Sequence, residues 1–99
     1  MIRHVVSWKL AEEDETVRAE QAAEVVRRLT GLMGVVPELR ALSAGVNVAH
    51  PDVNWDVTLI ADVDSLEALE AYQVHPAHKE AGAYIRSVVA SRVAVDFEL

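Results

Sequence analysis

The sequence predicts an α+β domain with one four-stranded antiparallel sheet and helices packed on it. Three observations carry that expectation. The two ends of the chain, IRHVVSWKL and RVAVDFE, alternate in period two, as strands do. From Val17 to Met33, apolar residues recur every three or four positions, as in an amphipathic helix. The run WDVTLIADV is a further strand, and a second helical segment separates it from the last one. The order βαββαβ is the ferredoxin-like plan.

In the first strand Ile2, His4, Val6, Trp8 and Leu10 share one side, with Val5 and Ser7 on the other. Glu12–Glu15 is an acidic cluster suited to a helix N-terminus, with Asp14 or Thr16 as the cap. The helix buries Val17, Ala22, Val25, Val26, Leu29, Leu32 and Met33, and turns Arg18, Glu20, Glu24, Arg27 and Arg28 to water. Gly34 ends it and Pro37 forbids its continuation. A second strand spans Leu39–Val48, with a bulge or close approach at Gly45. Ala49–Asn54 is a hairpin loop containing His50, and Trp55–Val63 is the third strand. Asp64-Ser65 caps a short helix that buries Leu66, Leu69, Tyr72 and Gln73. Pro76 breaks this helix and opens another, which runs to about Val88. Arg92–Glu98 is the fourth strand.

The chain has 99 residues, enough for one domain over 1–99. Its hydrophobic fraction, 52%, is high for that size, and an association surface would absorb the surplus. Val5, Ile60, Val93, Val95 and Phe97 fall at strand positions that two helices cannot all cover. A sheet apolar on both faces must bury both, and a second copy of the chain is the economical cover. A homodimer follows as the expected state. With no cysteine, thiolate metal sites and cysteine nucleophiles are excluded, and the cytoplasm is the expected location. The net charge of −7 repels phosphate backbones and anionic membrane surfaces, so neither nucleic acid nor membrane is an expected partner. The opening MIRHVVSWKLAEED reads as neither a signal peptide nor a membrane span.

The densest chemistry lies in AYQVHPAHKEAG, Ala71–Gly82. Tyr72 and His78 are six residues apart and would diverge on one straight helix. The break at Pro76 lets both turn toward one cavity, with His4 entering from the strand floor. A histidine titrates near neutrality and can accept a proton, and a tyrosine hydroxyl can orient it or donate to an oxyanion. Each residue also has a plainer explanation. His78 fits a histidine held by a backbone carbonyl, Tyr72 the core aromatic of a short helix, and His4 a satisfied interior histidine. His75 ends one helix and caps the next. His75 and His78 have an i, i+3 metal-ligand spacing, but only Glu80 offers a third donor, so no metal site is expected.

The opening IRHVVSWKL, the segment DSLEALEAYQVHPAH and the closing RVAVDFEL together resemble the stress-responsive α/β-barrel domain (Dabb) family over nearly the whole chain. AYQVHPAH is the most specific part. The resemblance implies a ferredoxin-like chain pairing through its sheet into a dimeric α+β barrel. It also implies cofactor-free chemistry, because a plant polyketide cyclase of the family performs an aldol cyclisation with a tyrosine and the second histidine of an HPAH motif. Tyr72 and His78 match those two, and His4 matches a pocket histidine of the first strand. The expected substrate-binding wall adds Val6, Trp8, Val57, Leu59, Ala81 and Val89. Here the chain departs from the cyclase. Val57 stands where the cyclase has a histidine, Ala81 and Val89 where it has large aromatics on the last helix, and Arg92 where it has a leucine. A cavity of different shape and polarity follows, so the plant substrate does not carry over. The expected function is acid/base catalysis, cyclisation or isomerisation, on a small apolar or carbonyl-rich compound. The alternative is a non-catalytic ligand-binding or protective module, as the family's stress-related name suggests.

Overall fold

The computed structural model describes all 99 residues, Met1–Leu99. β1 (Ile2–Leu10) lies between β3 (Val57–Val63) and β4 (Val89–Glu98), and β2 (Ala41–Val46) pairs with the far side of β3. The order β2-β3-β1-β4 is antiparallel throughout, the ferredoxin-like arrangement the element order predicts. α1 (Glu15–Thr30), α2 (Leu66–Val74) and α3 (Pro76–Val88) form the second layer.

Local rules explain most of the boundaries. Asp14 caps α1 by accepting the Val17 N–H, and Ser65 caps α2 by accepting the Ala68 N–H. His75 closes α2 and opens α3. Its backbone is extended, as a residue before proline prefers, and its Nδ1 accepts the Ala77 N–H. Pro76 takes the first position of α3, where a missing N–H costs nothing.

The sheet has two unlike faces. Ile2, Val6, Trp8, Leu10, Val57, Leu59, Ala61 and Val63 are buried with Ala22, Val25 and Leu29 of α1 and with Leu69, Tyr72, Ala81 and Ile85 above. On the other face the register places Val5 opposite both Ile60 and Val95, with Val93 and Phe97 along the same strand. Nothing in the protomer covers them, and Val95 is 60% exposed.

Several expectations are corrected. α1 stops at Thr30 with Gly31 as its C-cap, a turn before Gly34, which instead takes a left-handed φ of 87° in the following turn. Gly45 is not a bulge, because it pairs in unbroken register with Thr58, and no atom crowds it. The irregularity lies at the other edge. Leu10 faces Val89 and Lys9 faces Ser91, so Ala90 is the extra residue and β4 begins at Val89 rather than Arg92. β2 and β3 are shorter at both ends or at the start than their apolar runs. Leu66 is exposed, since six residues of helix place it about 120° around from Tyr72. Val17 and Met33 are exposed at the ends of their segment. Arg18, expected in water, is half-buried and donates to the carbonyls of Glu12 and Glu13.

Candidate functional site

β1 alternates, so His4, Val6 and Trp8 all face the helices. α3 crosses above them and brings His78 over the same patch. Between the two layers lies a cavity of about 150 Å³. His4, Val6 and Trp8 of β1, Leu59 of β3 and Arg92 of β4 form its floor. Leu29 of α1, Gln73 of α2, and His78, Ala81, Gly82, Ile85 and Arg86 of α3 form its roof.

Tyr72 ends the α2 stack and is fully buried. The break at His75-Pro76 sets its ring 4.5 Å from that of His78, edge to face at 66°. The His4 ring stands 6.2 Å from that of Tyr72 at 69°. The phenol is therefore packed edge to face against two imidazoles. Tyr72 does not itself line the cavity but touches both histidines that do. Its hydroxyl is buried and has no hydrogen-bond partner. Burial pushes its pKa up to about 12, so it stays protonated and is available only as a donor or neutral acceptor.

Burial lowers the His78 pKa below the ordinary imidazole value. The Gln73 backbone opposes this, while the neighbouring charges of His4, Arg92 and Arg86 add to the lowering. His78 is therefore neutral at physiological pH, the state of a proton acceptor. His4 is buried and engages Asp96 of β4 through Nδ1, which leaves Nε2 as its free nitrogen.

The structure brings His4, Val6, Trp8, Leu59, His78 and Ala81 to one cavity, with Tyr72 against its histidines. Val57 and Val89 are not on its wall. Val57 is buried in the hydrophobic core, and Val89 belongs to β4, not to the last helix, and packs on that core's edge. Sequence reasoning missed Leu29, Gln73, Gly82, Ile85 and Arg86 of the wall, and Asp96 behind His4. Asp96 was findable in principle, because antiparallel pairing of the first and last strands sets it opposite His4. No three His, Cys, Asp or Glu side chains converge as a metal site, and His75 Nδ1 is spent on its cap.

The structure is similar to a dimeric protein of unknown function and ferredoxin-like fold from Bacteroides fragilis, with a TM-score of 0.90 at 24% identity over 99% of this chain and 95% of that one. A dimeric ferredoxin-like protein of unknown function from Thermobifida fusca matches at 35% identity and TM-score 0.84, over 99% and 90% of the two chains. The fold is shared by a hydroxynitrile lyase from Passiflora edulis at TM-score 0.78 and 12% identity, over 97% of this chain and 90% of that one. In sequence the chain is 32% identical to an uncharacterized protein of Streptomyces coelicolor over 99% of both chains. The profile of the Stress responsive A/B Barrel Domain (Dabb) matches residues 2–99. With that match across nearly its whole length, and the βαββαβ sheet to accompany it, the chain belongs to the Dabb family.

Proposed function

We propose that the chain is a cytoplasmic homodimer in which each protomer holds a small-molecule site for cofactor-free acid/base chemistry on a carbonyl compound. His78 is the general base, and Tyr72 is the residue that orients it. The supporting observation is the Tyr72 ring packed against two histidines of the cavity wall, with His78 neutral and the buried phenol hydroxyl without a partner in the protomer.

The chemistry follows from the charge states. A neutral imidazole on an apolar wall accepts a proton from a carbon next to a carbonyl. The resulting enolate needs a donor. The Tyr72 hydroxyl, protonated and without a partner in the protomer, lies behind the cavity wall and would reach that oxygen through a bridging water. His78, protonated by that step, returns the proton to the product, and His4, held by Asp96 through Nδ1, presents Nε2 from the floor as a second acceptor. Cyclisation and isomerisation share this first step. Pairing is supported by the uncovered apolar face of the sheet and by the dimeric state of the Bacteroides and Thermobifida relatives.

Deuterium wash-in tests the reading. Small ketones in D2O, followed by NMR, should exchange their α-protons faster with the protein than without it. His78→Ala should cut that enhancement by roughly 100-fold or more. Undiminished exchange in the variant removes His78 from the role. No exchange with any ketone leaves a site that binds without turnover, the protective-module alternative.

A further inference from the structure

We infer that the ligand of this cavity carries a carboxylate, or an equivalent delocalised oxyanion, gripped at the cavity mouth between Arg86 and Arg92. The inference deepens the reading of the cavity as a small-molecule site and rests on it, but it needs no turnover.

The first ground is charge pairing. The chain has 16 acidic residues against 9 basic ones, so acid partners are plentiful. Arg3, Arg18, Arg27, Arg28 and Arg40 each sit within 4.0 Å of a carboxylate, with Glu24 serving two of them. Arg86 and Arg92 form no such pair, nor do Lys9 and Lys79, and of these four only the two arginines line the cavity. No Asp or Glu lines it with them. The nearby carboxylate of Asp96 is engaged by His4. The wall thus carries two uncompensated guanidinium charges.

The second ground is placement. The two arginines come from different elements, a helix and a strand, and both line the cavity. Arg92 lies opposite Trp8, on the helix-covered face of the sheet, in a register unbroken from Ile2 and Glu98 to Lys9 and Ser91. Arg86 lies along α3 against Gly82. A Cβ at Gly82 would stand 3.1 Å from Arg86 Nη1, so the guanidinium lies close against this bare turn of α3.

The third ground is complementarity. Guanidinium groups match carboxylates in fork geometry and bind them more strongly than neutral acceptors. Val6, Leu29, Leu59 and Ile85 leave the deeper wall apolar. The expected ligand therefore has a short apolar body, a single ring or a small acyl chain, with one anionic end. The body lies against His78 and the anion points outward.

Benzoate and its neutral isostere benzamide are suitable probes, titrated calorimetrically into the full-length chain. Benzoate should bind at least roughly tenfold more tightly, and added salt should narrow the gap. Arg92→Leu and Arg86→Met should each erode the preference, the double variant should abolish it, and Arg92→Lys should retain part of it. Both arginines are exposed, so these variants test the site rather than folding. Equal affinity for the two probes, failure of both to bind, or an undiminished preference in the double variant would overturn the proposal. His78→Ala should lose wash-in yet keep the benzoate preference. Preference without wash-in sinks only the acid/base reading, and wash-in without preference sinks only this one.

Discussion

In its proposed role Tyr72 would serve function against stability. A buried hydroxyl without a partner costs about 1–3 kcal/mol of desolvation that no hydrogen bond returns. Tyr72→Phe keeps the ring and deletes that cost, so the variant should unfold at higher urea, by about 1 kcal/mol, while its wash-in rate falls. A loss of stability instead would mean the hydroxyl has a partner. His78 carries a pH signature of known sign. Its folded pKa is depressed, so between that value and the ordinary 6.5 the unfolded chain binds a proton that the folded chain refuses. Its contribution to stability is complete above the unfolded value and is lost as pH falls through the window below it. The urea midpoint should therefore decline below neutrality less steeply in His78→Gln than in the parent. The acid limb of wash-in should likewise lie below the ordinary imidazole value.

At the scale of elements, the α2–α3 junction decides whether the site exists. His75 holds an extended backbone and caps α3, and that bend sets Tyr72 against His78. His75→Ala should cost about 1 kcal/mol, as a lost N-cap does, and should also depress wash-in by loosening the ring pair. Asp14→Ala removes the cap of α1, away from the site. It should cost a similar amount of stability with wash-in unchanged. Equal wash-in in both variants would show that the junction does not position the rings. The motif AYQVHPAH made this bend legible, because proline constrains its own φ and the residue before it. The end of α1 was less legible. Two glycines, Gly31 and Gly34, compete to stop a helix, and Gly31 stopped it first while Gly34 took the left-handed turn.

For the whole molecule, the outer face of the sheet governs assembly. Val5, Ile60, Val93, Val95 and Phe97 lie together on it, uncovered within the protomer. Val95→Lys places a charge within that apolar cluster, beside Val5. It should shift the sedimentation coefficient from dimer to monomer at micromolar concentration, and a parent protein that already sediments as a monomer would contradict the proposed pairing. Gly45 is on the same face, opposite Thr58, with open space around it in the protomer.

The chain by itself determined its element order, its helix N-caps, its proline break and the apolar character of both sheet faces. These depend on neighbours within a few residues, and period and capping chemistry act at that range. Tertiary structure alone decided which side the helices cover, and which polar groups meet beneath them. His4 and Asp96 are 92 residues apart, and Arg86 reaches the cavity from a helix while Arg92 reaches it from a strand. Such meetings depend on strand register. A shift of a single position turns every side chain of a strand to the opposite face, and no local pattern records it.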